Sequence, residues 1–503
     1  LENLTGENLI NKILIANRSE IACRVIKACK EMGITSVAVY SEIDADALHV
    51  KLADECFAIG GTAAKESYLD MDKIIKAALK SGADAIHPGY GFLSENPEFN
   101  EKVRNAGLIF IGPNPESMRL LGSKTKARDL MISNSVPVVP GVKSNTSDIN
   151  EYSHFAEKIG YPVLIKSAAG GGGKGMRVVK SPNELADAID SAKRESLSAF
   201  GSDEIFMEKY IQKPRHIEFQ VVGDSHGNYI HLFERECSLQ RRHQKIIEEA
   251  PSTALDEELR NKMGQAAIQA VKSAGYDNVG TVEFLLDEDG SFYFLEVNAR
   301  IQVEHPVTEE ITGIDLVQLQ INIAAGEPIP FNQKDLSING WSIECRIYAE
   351  DAFNDFMPSS GKILLHKAPI GEGVRFDSGI ETGTNVSIFY DPILAKLIVN
   401  GDTREEATER MIDALKSTAV LGVKTSLPFM IGLLENEIFK NGDTYTGYID
   451  KNYAELIKFD FEGNLPHALG VAAHINTSFE PENKDPWLNI GKWELLFSKG
   501  KTK

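Results

Sequence analysis

Cysteine is scarce in these 503 residues: Cys23, Cys29, Cys56, Cys237 and Cys345 are all there are, and none forms a C-x-x-C pair. An odd, scattered set argues against a disulfide framework or a zinc site and fits a reducing cytoplasm. Positive charge is also short. With 53 Lys and Arg against 73 Asp and Glu, the formal net charge is −20, which opposes the counterion release that drives nucleic-acid binding and disfavours anionic membranes. No apolar run is long enough to span a bilayer. The opening L-E-N-L-T-G-E-N-L-I lacks the basic segment and apolar core of an export signal. A cytoplasmic protein that binds neither nucleic acid nor membrane is expected.

The length exceeds what one hydrophobic core usually holds, so two to four structural units are expected at about 150 residues each. From Lys12 to Gly112 short apolar runs (K-I-L-I-A-N, S-V-A-V-Y, C-F-A-I-G, A-I-H-P-G-Y, L-I-F-I-G) alternate with helical patterns. That order reads as a doubly wound parallel sheet with covering helices. Such sheets bind ligands at the carboxyl ends of their strands, where His87-Pro88-Gly89-Tyr90-Gly91 sits. The same five residues also make an ordinary turn.

Glycine totals 41 and is locally concentrated in Y-P-V-L-I-K-S-A-A-G-G-G-G-K-G-M-R-V-V. Gly170 to Gly175 fit G-x-G-x-x-G, but a dinucleotide fingerprint needs a helix next, and the β-rich M-R-V-V follows. Lys174 is followed by Gly175 rather than Ser or Thr, which excludes a Walker A loop. A glycine loop between two strands, around Gly172 and Gly173, is suited to lie over a polyphosphate as a flap, because its N–H groups approach unhindered. Lys166 and Lys174 favour phosphate over a plain hairpin tip.

The run T-V-E-F-L-L-D-E-D-G-S-F-Y-F-L-E-V-N-A-R reads as two strands joined by a type I′ turn at Asp289-Gly290. That turn sets Glu283 directly opposite Glu296, with Asn298 on the same face and the two Cβ atoms roughly 5 Å apart. Two carboxylates so close repel by about 3 kcal/mol even at an effective dielectric constant of 20, and Mg²⁺ or Mn²⁺ would remove the conflict. A solvated acidic face is the plainer alternative. Downstream, Arg300, Gln302 and Glu304 continue a two-residue spacing, which offers a cation for a small planar anion and a base. Alone, R-I-Q-V-E is also the pattern of a salt-bridged strand. A second cluster, Gln240, Arg241, Arg242, His243, Gln244 and Lys245, concentrates donors suited to phosphate oxygens in an acidic chain.

Taken together, H-P-G-Y-G-F-L-S-E-N, the flap ending G-K-G-M-R-V-V, R-H-I-E-F-Q, S-L-Q-R-R-H-Q-K, N-A-R-I-Q-V-E-H-P-V-T-E and I-E-C-R-I-Y-A-E-D resemble the biotin carboxylase family of the ATP-grasp superfamily, from about Lys12 to Lys458. The resemblance implies an α/β and α+β architecture: an N-terminal doubly wound domain (1–121), an ATP-grasp domain (122–335) with a glycine-flap lid at about 138–210, a C-terminal mixed domain (336–458) and an accessory tail (459–503). It further implies ATP bound by Lys124, Lys166, Gly172, Gly173, Glu208, Lys209, His216, Gln240 and His243, and metal on Glu283, Glu296 and Asn298. Glu304 would deprotonate bicarbonate held by Arg300, giving carboxyphosphate, with Lys245 near the transferred phosphoryl group. Arg346 would stabilise the biotin enolate, and Tyr90, Gly91, Gln302 and Val303 match positions beside biotin.

Two departures stand out. The family pattern N-R-G-E-I-A has Ser19 in place of glycine here, which puts in doubt a backbone conformation that glycine adopts freely. No Met-Lys dipeptide occurs, so the biotin-accepting motif is missing and a separate carrier protein is expected, along with a homodimer and a carboxyltransferase subunit. The final D-P-W-L-N-I-G-K-W-E-L resembles the start of the connecting region in some acyl-CoA carboxylase chains, so this tail is expected to dock a carrier or carboxyltransferase subunit. The resemblance as a whole implies the first half-reaction of an acetyl-CoA or propionyl-CoA carboxylase. Pyruvate carboxylase is the alternative. Other rivals are a carbamoyl-phosphate-type ligase, which has no use for Arg346 and Gln302, and a silent scaffold, which has no need of Glu304 and Lys245.

Overall fold

The computed structural model describes residues 10–144, 149–167, 176–200, 205–242 and 244–458. The flap residues Gly172, Gly173 and Lys174, His243 and the tail 459–503 lie outside the described residues. No described helix is long and apolar enough to cross a membrane.

Strands β1 (Lys12–Ile15), β2 (Thr35–Ser41), β3 (Glu55–Gly60), β4 (Ala85–His87) and β5 (Ile109–Phe110) form a sheet in the order β3-β2-β1-β4-β5. All its pairings are parallel, as the alternating pattern predicts. Helix α1 (Ser19–Glu31) turns Ile21, Ala22, Val25, Ile26, Ala28 and Cys29 inward, a stripe at helical spacing. Strand order reverses between β1 and β4, which opens a crevice at their carboxyl ends. There Asn17 Nδ2 donates to the carbonyls of Pro88 (2.8 Å) and Tyr90 (2.7 Å).

Next come β6 (Gly141–Ser144), β7 (Val163–Ser167), β8 (Arg177–Val179) and β9 (Ile205–Lys209), an antiparallel sheet ordered β6-β9-β7-β8. Val163, Ile165, Val179 and Met207 pack on Tyr152, Leu185 and Ile189 of the helices Ile149–Ile159 and Pro182–Phe200. The glycine run thus joins two paired strands, as expected.

Strands β10 (Arg215–Gly223), β11 (Tyr229–Arg241), β12 (Gln244–Ala250), β13 (Asn278–Leu286), β14 (Phe292–Asn298) and β15 (Trp341–Tyr348) join Val374–Ser378 and Ile393–Gly401 in one eight-stranded antiparallel sheet. It crosses the expected 335/336 boundary without a break, because β12 pairs with β15. In β10, Ile217, Phe219 and Val221 belong to the apolar core that includes Met263, Ala267 and Val271 of the helix Glu257–Ser273. Its alternate residues His216, Glu218 and Gln220 are buried as well. A polar sheet face covered by protein must satisfy its own charges.

Glu283 does pair with Glu296, and Thr281 with Asn298, but not through the expected turn. Only Gly290 has positive φ (+80°), and Asp287 N donates to Ser291 O at 2.8 Å, so the loop holds three residues rather than two. Leu286 therefore pairs with Phe292, one residue off the expected register. Leu295 then bulges out between the pairs Phe284↔Phe294 and Glu283↔Glu296 and restores it. Nor does the R-I-Q-V-E alternation form a strand: β14 ends at Asn298, and an irregular segment leads into the helix His305–Thr312.

Candidate active site

Across one face of the large sheet, register alone lines up Glu296, Glu283, Glu218 and Arg235 on four neighbouring strands. Three hydrogen-bond donors and a histidine converge on Glu283. Lys245 Nζ is 3.0 Å from its Oε1, and Asn298 Nδ2 and Gln302 Nε2 each donate to the same oxygen at 2.9 Å. Gln240 Nε2 donates to His216 Nδ1 (3.2 Å), which turns His216 Nε2 toward Glu283 Oε2 at 3.0 Å. Burial works against ionisation, yet Lys245 and His216 hold Glu283 well below the usual carboxylate range. Glu296 goes the other way: burial and the charge of Glu283 raise it, and Lys124, at the start of the helix Lys124–Ser133, only partly offsets them.

Lys245 sits among three carboxylates, 2.6 Å from Glu218 Oε2, 3.0 Å from Glu283 Oε1 and 2.6 Å from Glu304 Oε1. Burial alone would lower its pKa, but these acids hold it well above the ordinary lysine value. Glu304 is bridged on its other oxygen by Arg346 Nη2 at 2.8 Å, while Arg346 Nε donates to Glu248 Oε1 at 2.5 Å. The two cations overcome burial and keep Glu304 ionised, its pKa well below normal. Glu248, with less compensation, is pushed by burial up to about 7.

Arg300, expected beside Glu304, is joined elsewhere: Nη2 donates to Asn298 Oδ1 (2.8 Å) and Nε to Glu95 Oε2 (3.0 Å). The loss of strand alternation explains this, since Arg300 and Glu304 no longer share a face. Gln302 and Glu304 do converge, through Lys245 and Glu283. Val303 O accepts from Lys396 Nζ at 2.8 Å. Lys166 Nζ meets Glu208 Oε1 at 2.7 Å, whereas Lys209 turns to Asp287 Oδ2 at 2.7 Å on the hairpin loop. Tyr90 is partly buried with its hydroxyl unbonded, and Gly91 has φ +67°.

Sequence reasoning missed Arg235, which is fully buried and spends all five N–H groups. Nε donates to Glu218 Oε1 (2.6 Å), Nη1 to Gln220 (2.7 Å) and Thr308 (3.0 Å), and Nη2 to Thr281 (3.1 Å) and Gln302 (3.0 Å). It also missed Glu218, although the alternation H-I-E-F-Q in an otherwise apolar strand carried that signal. Among the described residues the ligand atoms of His216, Glu218 and Glu283 approach closely enough to hold a metal ion, as do those of Glu218, Cys237 and Glu304. Lys245 already pairs with Glu218 and Glu283 in the first set and with Glu218 and Glu304 in the second. The oxygen donors Glu283, Glu296 and Asn298 suit a hard divalent cation, which would relieve the electrostatic conflict at Glu296.

Known proteins resemble this chain in sequence and in fold. Residues 9–118 match the family model for the biotin carboxylase N-terminal domain, 123–332 the ATP-binding domain of carbamoyl-phosphate synthase L chain, and 344–451 the biotin carboxylase C-terminal domain. The chain is 49% identical to a pyruvate carboxylase subunit of Methanothermobacter thermautotrophicus, over 95% of this chain and 96% of that one. It is 50% identical to biotin carboxylase 2 of Bacillus subtilis, over 88% and 100%. A solved biotin carboxylase domain of Hydrogenobacter thermophilus 2-oxoglutarate carboxylase, a dimer with MgADP, ADP and bicarbonate, is similar in structure. Its TM-score is 0.82 and its identity 46%, over 90% of this chain and 100% of that one. The biotin carboxylase of Campylobacter jejuni gives a TM-score of 0.81 at 47% identity, over 88% and 99%. On the fold, the buried charge network and these likenesses together, the chain belongs to the biotin carboxylase family of ATP-dependent ligases.

Proposed function

We propose that this enzyme uses ATP and bicarbonate to carboxylate biotin presented by a carrier outside these 503 residues, with the roles divided along the charged sheet face. The observation that carries this reading is Glu304, ionised and buried between Lys245 and Arg346. When anionic substrates arrive, both cations have new partners, and Glu304 regains basicity as their pull is shared. Glu304 then takes the proton of bicarbonate, whose oxygen attacks the γ-phosphorus of ATP. ADP leaves and carboxyphosphate forms, with Lys245 against the transferred oxygens.

Carboxyphosphate breaks into CO₂ and phosphate. The phosphate removes the biotin N1 proton, N1 attacks CO₂, and Arg346 faces the enolate oxygen of the ring. Arg300, tethered to Asn298 and partly exposed, supplies the fork for bicarbonate. Tyr90, Gly91, Gln302 and Val303 border biotin. Lys124, Lys166, Glu208, Lys209, His216, Gln240 and His243, with the flap at Gly172 and Gly173, surround the nucleotide. Glu283, Glu296 and Asn298 would hold Mg²⁺ or Mn²⁺, which when bound neutralises phosphate charge.

A carboxyltransferase subunit, a carrier protein and a second copy of the chain complete the assembly. Two acceptors fit. The D-P-W-L-N-I-G-K-W-E-L run favours an acyl-CoA such as acetyl-CoA or propionyl-CoA. The likeness to a pyruvate carboxylase subunit, which extends over 95% of the chain, favours pyruvate. ATP cleavage measured with and without bicarbonate and free biotin tests the first half-reaction. Wild type should need bicarbonate and be stimulated by biotin, and Arg346→Ala should lose the stimulation. Cleavage indifferent to biotin in every variant would refute the reading.

A further inference from the structure

Lys396, on the strand Ile393–Gly401, is completely buried and lies opposite Arg346 in the sheet register. Its ammonium donates to the Val303 carbonyl at 2.8 Å and stands 3.4 Å from Glu20 Oε2 in the first turn of α1. Glu20 is itself 1% exposed, and neither of its carboxylate oxygens accepts a hydrogen bond. Asp377 and Glu344 are the other acids that act on this lysine from neighbouring strands. Three distant parts of the sequence thus meet at one cation.

Val303 lies in the irregular segment between Asn298 and His305, which has no strand partner to fix it. Among the described residues, the other bonds to its carbonyls are local: Arg300 to Ile301 O, His305 to Gln302 O and Val307 to Glu304 O. A neutral donor would suffice for a plain backbone tie, and burying an ammonium is costly. We infer that Lys396 is a positioning residue, holding the Val303 carbonyl so that Gln302 and Glu304 on either side keep their places in the site. Glu20 tempers the buried charge from the opposite side. The inference rests on the biotin carboxylase reading, since it concerns the same segment.

The test is bicarbonate-dependent ATP cleavage with free biotin, on wild type, Lys396→Met and Lys396→Met/Glu20→Gln. Displacing reacting groups by about 1 Å costs roughly 10²-fold in rate, so Lys396→Met is expected to lose 10- to 100-fold in biotin-dependent kcat, at about the same order. Its KM for ATP should stay within about twofold, because the proposed nucleotide contacts do not involve this segment. The double variant removes the unpaired acid and should melt near wild type while its kcat stays low. It also serves if Lys396→Met alone does not fold. Recovery of kcat in the double variant would show that Lys396 only balances Glu20 and would overturn the inference, as would unchanged kcat in Lys396→Met or a rise in KM for ATP that matches the loss. A wild type without biotin stimulation would instead overturn the parent reading, and this inference with it.

Discussion

Lys245 and Glu304 are joined at 2.6 Å in the buried interior, with Arg346 2.8 Å from the second oxygen of the same carboxylate. Glu304 is therefore ionised throughout the working pH range despite its burial. Its folded pKa is depressed, so its contribution to stability is present above the unfolded value of about 4.3 and is lost as pH falls through the folded one. Glu304→Gln removes a proton acceptor while keeping shape, and kcat is expected to fall by about 10²- to 10⁴-fold. Melting curves should separate the two proteins most at neutral pH and converge in acid. Bicarbonate-dependent ATP cleavage near the wild-type rate in Glu304→Gln would remove this residue from the chemistry.

The sequence made the Glu283↔Glu296 pairing legible, but by a route the structure corrects. A two-residue turn and an unbroken ladder give that pair, and so do a three-residue loop and a bulge at Leu295. Two one-residue shifts cancel, and a sum over positions cannot detect either. Parallel strands in the N-terminal region were legible because each apolar run is short and bounded. Arg235 was not legible, because nothing in E-R-E-C-S tells a fully bonded buried arginine from a surface one. Its meaning lies in Glu218, Gln220, Thr281, Gln302 and Thr308, which come together only in the fold.

Ser19 answers the doubt raised by the missing glycine: its φ is +59°, in the left-handed region. Gly379 presses against it, since a Cβ built on Gly379 would collide with Ser19 Oγ. A non-glycine residue in this region costs about 1–2 kcal/mol, partly offset by the greater freedom glycine gives the unfolded chain. Ser19→Gly should therefore stabilise the protein by about 1 kcal/mol or less. A higher Tm with unaltered kcat is the expected result, and a lower Tm would mean that the serine hydroxyl makes up for the strain.

Glu296 is raised by burial and by Glu283, a conflict that a divalent cation relieves. Glu296→Gln keeps one oxygen ligand but removes the charge that attracts the ion. The Mg²⁺ concentration for half-maximal ATP cleavage should rise by about tenfold or more, equivalent to at least about 1.4 kcal/mol of lost attraction. Chelation should abolish cleavage in both proteins. An unshifted Mg²⁺ curve would place the ion away from Glu296.

Burial pushes Glu20 up to about 7, with Lys396 drawing it back only in part. The unfolded carboxyl titrates near 4.3, so the folded state binds the extra proton between these values. A raised pKa contributes stability that is complete below the unfolded value and is lost as pH rises through about 7. Glu20→Gln has no such dependence. Relative to wild type its stability should climb by roughly 3 kcal/mol between acid and alkaline conditions, with the groups common to both proteins cancelling in the difference. Denaturant midpoints at pH 5 and pH 8, taken for both proteins, measure it. A difference that does not change with pH would mean that Glu20 stays ionised in the fold, paired with Lys396 as a full charge.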